Sequence, residues 1–296
     1  MKYTGSMVAL VTPFNLDGSL DIRALENLIN WHIECKTDAI VLCGTTAEAP
    51  TLEEEERFKI FETAVRIAKN KIKIIAGTGT YSTKKSVYFT KKALDIGISA
   101  CLVVVPYYNK PSFLGLYKHF EVISKVGLDV ILYYHPNRTG LSLTINDFIE
   151  LQNIEKIVAV KEASGNLEFI KKIINETRFG VLSGDDPLTY DVLKNNGCGV
   201  ISVVANIIPD IWKKYIDLLL NKKFIEAKLI YLKYQDLINV MFLESNPICV
   251  KYSLSLMSKC KSKMRLPLIE PTEINRSKIY NCLVENNLLQ TNRVKV

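Results

Sequence analysis

The chain has 296 residues, of which 48% are apolar and 23% charged, and a formal net charge of +7. That balance describes a globular protein that buries a sizeable core without disulfide or metal staples, in one large domain or two modest ones. The positive charge is scattered among Asp and Glu rather than gathered in a stripe, and no nucleic-acid motif accompanies it. No nucleic-acid partner is therefore expected, and the excess favours the approach of small anions. Seven cysteines (Cys35, Cys43, Cys101, Cys198, Cys249, Cys260, Cys282), odd in number and without a CxxC pair, read as reduced thiols of a cytosolic protein. His32, His119 and His135 lie far apart, with no HxH or HExxH spacing, which argues against a zinc site. The opening MKYTGSMVALVTPFN lacks the apolar region and cleavage site of a signal peptide. No apolar run approaches the ~18 residues of a membrane span, so a cytoplasmic protein without membrane association is expected.

Short apolar runs, each trailed by a helical pattern, recur along the chain. SMVALVT (6–12) is followed by the amphipathic DIRALENLINWHIE, and DAIVLCG (38–44) by LEEEERFKIFETAVRIAKN, for which Thr51 and Glu54 suggest a capping box. IKIIAGTG (72–79), ACLVVVP (100–106), DVILYYH (129–135), KIVAVKE (156–162), FGVLSG (179–184) and CGVISVVA (198–205) continue the series. Their hydrophobicity is continuous rather than alternating, which suits strands of a parallel sheet buried on both faces. Even spacing, and no Gly-x-Gly-x-x-Gly turn after the first strand, favour a (β/α)8 barrel over a doubly wound sheet. After residue 205 the pattern is helical, through IIPDIWKKYIDLLLN, KKFIEAKLIYLKYQDLINVMF and NPICVKYSLSLM to a last helix from about Thr272. The expected organisation is a catalytic barrel over 1–222 and a C-terminal helical appendage over 223–296, packed on it.

In such a barrel functional groups collect at the C-terminal ends of the strands. Those ends read GTTAE (44–48), PYYNKP (106–111), YYHPNRTG (133–140), Lys161, SGDD (183–186) and the neighbourhood of Ile201. The lysine is the unusual member. Either the strand stops at Val160 and Lys161 points out of a loop, or its amine is held uncharged at the barrel mouth. The second reading favours Schiff-base catalysis, in which a neutral amine attacks a ketone or aldehyde and the resulting imine makes the adjacent carbon nucleophilic. Its pKa would have to fall from the ordinary ~10.4. Tyr133 and Thr45 would offer hydroxyls for proton transfer, although a core tyrosine or a turn-fixing threonine pair would look the same. The backbone of the Gly-Thr-Thr turn suits a carboxylate such as that of a 2-oxo acid, and Arg138 offers a fork for a second one.

With these residues in place the chain closely resembles the dihydrodipicolinate synthase family, pyruvate-dependent class I lyases related to N-acetylneuraminate lyase. The likeness runs nearly end to end, from TGSMVALVTPF through AIVLCGTTAE, IIAGTGTYST, VVVPYYNKPSFLGLYKHF, ILYYHPNRTG, VAVKEASGN, LSGDD and GVISVVAN to ESNPICVKYSL and MRLPL. The resemblance implies that Lys161 forms a Schiff base with pyruvate. It makes Thr45, Tyr133 and Tyr108 a proton relay, with Tyr108 reaching into a neighbouring subunit's site. Thr45 and Thr46 would hold the pyruvate carboxylate, Arg138 the carboxylate of aspartate semialdehyde, and the backbones of Gly184 and Ile201 would line the pocket. The implied reaction, in lysine and diaminopimelate biosynthesis, uses no metal and no dissociable cofactor, and the implied assembly is a homotetramer of two tight dimers. The sister activity, cleavage of N-acetylneuraminate or a 2-keto-3-deoxy sugar acid, is disfavoured by the PNRTG and YYN contexts. A barrel that had lost catalysis would lack the lysine, a tyrosine or the arginine, and all are present.

Three departures from the family pattern stand out. GTTGE reads GTTAE, so Ala47 strains the turn if the position needs a positive φ and otherwise only narrows the pocket. LYNVP reads LYYHP, setting Tyr134 and His135 beside the relay. Strand alternation aims Tyr134 away from Tyr133, so the chemistry is expected to stand while substrate preference stays open. Where lysine-inhibited members use a glutamate and a histidine, the matching positions carry Lys85 and Arg57. Two cations would repel the ammonium groups of lysine, and insensitivity to that amino acid is expected.

Overall fold

A computed structural model of the chain describes residues 2–289. Each apolar run becomes a strand: β1 (Gly5–Ala9), β2 (Ala39–Leu42), β3 (Lys73–Gly77), β4 (Ala100–Val104), β5 (Asp129–Tyr134), β6 (Ile157–Glu162), β7 (Gly180–Ser183) and β8 (Gly199–Ser202). They pair in chain order into a closed barrel, with β8 returning to β1 in parallel from Gly5↔Gly199 to Val8↔Ser202. The runs read as continuously apolar because both faces are covered. Side chains alternate along each strand. Ile131 and Tyr133 of β5 thus join the inner core, while Val130, Leu132 and Tyr134 join the layer between sheet and helices.

The outer ring comprises α1 (Ile22–Glu34), α2 (Glu54–Ala68), α3 (Thr83–Asp95), α4 (Phe113–Ser124), the single turn α5 (Pro136–Thr139), α6 (Ile145–Leu151), α7 (Leu167–Glu176), α8 (Thr189–Lys194) and α9 (Pro209–Leu220). The capping box at α2 falls two residues later than expected. Glu53 occupies the cap position, and its N–H donates to Glu56 Oε2 at 3.1 Å. Thr51 instead closes a 3-10 turn, Ala49–Thr51, its hydroxyl donating to the Glu48 carbonyl at 3.0 Å. Two successive tight turns after β2 delay the helix past the threonine. None of the described helices is long and apolar enough to cross a membrane.

Beyond the ring come α10 (Phe224–Val240), α11 (Ile248–Leu256) and α12 (Glu273–Glu285), with Thr272 capping the last through a bond from Asn275 N–H. Positions 290–296 of the expected helical region lie outside the described residues. α10 packs on α9, α12 packs on α10 and α11, and α11 meets the 3-10 turn Val204–Asn206 that follows β8. An ion pair deepens the attachment. Lys251 of α11 and Glu48, both side chains wholly buried, meet at 2.5 Å. Arg265 N–H donates to the other Glu48 oxygen at 3.0 Å, and its guanidinium grips Glu56 through bonds of 2.6 and 2.5 Å. Lys251 Nζ and the Arg265 guanidinium lie 4.0 and 4.3 Å from the centre of the Phe14 ring.

Removing one partner of a buried pair strands the other charge in a dry site, at a cost of about 3–5 kcal/mol. Glu48→Ala is expected to lose stability on that scale in urea unfolding. Glu48→Gln combined with Lys251→Met should recover most of it. A Glu48→Ala loss under about 1 kcal/mol, the scale of a solvated surface pair, contradicts the assignment.

Candidate active site

Lys161 is the penultimate residue of β6, in register with Tyr133 of β5 and Leu182 of β7. Two positions on from the inward Ala159, it points into the barrel. It is only 6% exposed, with Nζ 4.4 Å from the centre of the Tyr133 ring. That geometry excludes the loop reading of this residue. Burial pushes the amine down to about 8; the charge of Asp186 works against the fall and that of Arg138 adds to it. Roughly a tenth of the amine is therefore free base at pH 7, against fewer than about one part in a thousand for an ordinary lysine.

Gly184 explains how the lysine fits. A Cβ there would stand 2.7 Å from Ala163 Cβ, 2.9 Å from the Glu162 carbonyl oxygen and 3.1 Å from Lys161 Cε. Glycine at the end of β7 is thus the vacancy into which the lysine side chain leans.

A cleft of about 460 Å³ opens above the amine, lined by Lys161, Thr45, Thr46, Tyr133, Arg138 and Gly184 among others. Six of the residues singled out from the sequence therefore meet in one place. Thr45–Ala47 forms a 3-10 turn. Ala47 has no positive φ; the left-handed position is Glu48, at 55°. The methyl group of Ala47 therefore imposes no backbone strain. Thr46 is buried and its hydroxyl accepts from Asn246 Nδ2 at 2.9 Å, while the Asn246 carbonyl accepts from Arg138 Nη2 at 3.3 Å. Burial raises the Tyr133 hydroxyl above its ordinary range, opposed by the charge of Arg138 and a hydrogen bond with Thr45.

Two singled-out residues remain. Ile201, expected to contribute its backbone, buries its side chain in the inner core. Tyr108 is 91% exposed, at a φ of 71°, on a loop held by the edge-on contact of Tyr107 with Tyr81 and by Asn109 Nδ2 donating to the Tyr81 carbonyl at 3.1 Å.

Other residues join the site without having been assigned a place from the sequence. Asn246 is one; its only sequence cue was membership of the ESNPICVKYSL segment. Asp186, within SGDD, is another. It is buried, and Oδ2 accepts from the N–H groups of Val203 and Val204 at 2.8 and 2.9 Å. Burial raises its carboxyl to about 6. Glu162 turns outward from β6, its carboxyl raised by burial to about 7 and one oxygen accepting from Ser164 N–H at 3.1 Å. A second cavity of about 240 Å³ adjoins the cleft, shares Thr45, Tyr133, His135 and Arg138 with it, and reaches Arg57. Tyr134 points away into the outer layer as expected, where its hydroxyl accepts from Leu143 N–H at 3.0 Å.

Comparison with known proteins bears on this arrangement. A family model described as the dihydrodipicolinate synthetase family matches residues 2–286. The 4-hydroxy-tetrahydrodipicolinate synthase of Aquifex aeolicus (strain VF5) is 42% identical over 290 residues, which span 97% of this chain and 98% of its own. The crystal structure of dihydrodipicolinate synthase from Aquifex aeolicus superposes with a TM-score of 0.95 at 41% identity, covering 98% of this chain and 100% of the other. The chloride-inhibited dihydrodipicolinate synthase of Acinetobacter baumannii, solved with pyruvate, gives a TM-score of 0.94 at 39% identity, covering 97% and 99%.

The amine of Lys161 can be titrated directly by competitive acetylation at a series of pH values. A midpoint near 8 is expected for the wild-type chain. Asp186→Asn should lower that midpoint and Arg138→Ala should raise it, because their charges act in those directions. A wild-type midpoint at the ordinary ~10.4 would remove the case for an activated amine.

Proposed function

The chain belongs to the dihydrodipicolinate synthetase family, and from that premise we propose that it condenses pyruvate with L-aspartate 4-semialdehyde through a Schiff base on Lys161. The product would be 4-hydroxy-tetrahydrodipicolinate, in lysine and diaminopimelate biosynthesis. The observation that carries this reading is the buried Lys161 amine, depressed to about 8 beneath a cleft that two threonines, a tyrosine and an arginine share.

In the proposed sequence Lys161 Nζ attacks the C2 carbonyl of pyruvate, and loss of water leaves a protonated imine. The imine withdraws electrons from C3, a proton departs, and the resulting enamine carbon attacks the aldehyde. The amine of the adduct then adds to C2 and displaces Lys161, closing the ring and regenerating the free side chain. The turn at Thr45 and Thr46 receives the pyruvate carboxylate, since the first amides of a 3-10 turn lack partners within it. Arg138, tied to Asn246 by only one bond, keeps donors for the carboxylate of the aldehyde. Tyr133 and Thr45 pass protons, and Tyr108 completes the relay from a second copy. Its exposure, on a loop tied to the likewise exposed Tyr81, supports a tight dimer there, two of which make a homotetramer. The chemistry as written calls for no metal and no dissociable cofactor.

Insensitivity to lysine belongs to the same proposal. Arg57 is buried beside the second cavity, donating to the Gly77 and Ala49 carbonyls at 2.8 and 3.1 Å and lying 4.6 Å over the Phe89 ring. Lys85 pairs with Glu54 at 3.1 Å. A diammonium ligand would meet a fixed cation there.

Borohydride reduction in the presence of pyruvate should attach one reduced pyruvate unit to Lys161, seen by peptide mass spectrometry and absent from Lys161→Ala. Labelling of another lysine overturns the site. A coupled assay should show turnover of aspartate semialdehyde and none of N-acetylneuraminate. Millimolar lysine is expected to leave the rate unchanged, and a sub-millimolar inhibition curve contradicts the charge argument.

A further inference from the structure

His135 stands at the rim without a task in the sequence of steps above. It directly follows β5, two positions on from Tyr133, so its side chain turns to the same inner side. The two ring centres are 6.0 Å apart with their planes at 64°. The imidazole borders both cavities, in company with Thr45, Tyr133 and Arg138. Its backbone is firmly placed: the carbonyl accepts from Arg138 N–H at 3.0 Å and from the N–H and hydroxyl of Thr139, each at 3.1 Å.

The other histidines serve as ordinary buried groups. His32 Nδ1 bonds the Thr37 hydroxyl and His119 Nδ1 the Thr83 hydroxyl, each at 2.9 Å. His135 has no such side-chain partner among the described residues, and its Nδ1 is buried without a hydrogen bond. Burial first, then the charges of Arg138 and Lys161, hold its imidazole down to about 4; its own backbone pulls weakly the other way. The ring is therefore neutral at pH 7, with one N–H and one acceptor. Nδ1 is the buried nitrogen, and the tautomer that protonates it leaves Nε2 as the acceptor.

We propose that His135 determines specificity for the second substrate, its Nε2 accepting a hydrogen bond from the α-ammonium group of the amino aldehyde. This deepens the reading of Lys161 and Arg138 given above and rests on it. The carboxylate and ammonium of an α-amino acid share one carbon, so the residue that clamps the first fixes where the second falls. Arg138 sits three positions from His135 on the turn that His135 opens. Lys161 and Arg138 line this cleft together with Asp185 and Glu244, and an ammonium group held beside Arg138 needs a hydrogen-bond acceptor next to that arginine. A neutral imidazole meets that requirement. The valine of the LYNVP pattern, at the matching position, offers no acceptor, so the His135 contact adds to the arginine clamp rather than replacing it.

Steady-state kinetics of the full chain, His135→Val and His135→Gln test the assignment. His135→Val is expected to raise KM for aspartate semialdehyde about tenfold, the worth of one hydrogen bond to a charged group. KM for pyruvate, borohydride trapping on Lys161 and the inhibition constant of succinic semialdehyde, which lacks the amine, should stay within twofold. His135→Gln, which keeps an acceptor, should restore most of the loss. A His135→Val KM for aspartate semialdehyde within twofold of wild type overturns this inference alone. So does a parallel rise in the pyruvate KM and the succinic semialdehyde constant, which marks a structural role. A wild-type chain that forms no pyruvate adduct overturns this inference together with the function on which it rests.

Discussion

An ammonium group is strongly hydrated, and a strand that carries one into a closed barrel has to replace the water it removes. At Lys161 the replacement is incomplete. Asp186 contributes charge, but its own carboxyl is pushed up by burial to about 6, and Oδ2 faces the amides of Val203 and Val204. Arg138 contributes charge of the wrong sign. The face of the Tyr133 ring lies 4.4 Å from the amine and carries no full charge. A fully paired lysine here would be a stable ion and a poor nucleophile. The incomplete pairing brings the amine into the range where its two forms coexist near neutral pH.

The groups above the amine are arranged by a part of the chain remote from the barrel strands. Asn246 supports Thr46 through its side chain and Arg138 through its carbonyl, so one residue sets the spacing between the two ends of the cleft. Two residues beyond Thr46, Glu48 takes a left-handed backbone and buries its carboxylate against Lys251. A turn bent in this way is held by its partners as much as by its own torsions. The C-terminal helices thus act as the support of the threonine turn, besides covering the barrel.

Much of the architecture was legible because it rests on local patterns. Continuous apolar runs gave away a sheet covered on both faces. Period-two alternation placed Tyr133 and Lys161 inward and Tyr134 outward. Both Thr51 and Glu53 can cap α2, and only the second tight turn after β2 decides between them. Within the site, residues at strand ends were identifiable from position and residue type. Asn246 and the partners of Asp186 were not, because nothing local distinguishes an amide or carboxylate that bonds far along the chain. At Ile201 the strand is legible from its apolar run, and the side chain joins the inner core.

Thr46 and Glu48 find their partners 200 and 203 residues downstream. The last barrel strand ends at Ser202, so all eight are synthesised before Asn246 and Lys251. Elongation proceeds from the N-terminus, so the strands can begin to pair before the clamping residues exist. The cylinder can therefore assemble during translation while its catalytic turn is still unclamped, with a carboxylate facing a hole where a cation belongs. A chain ending before Asn246 would carry all eight strands without the residues that clamp its threonine turn.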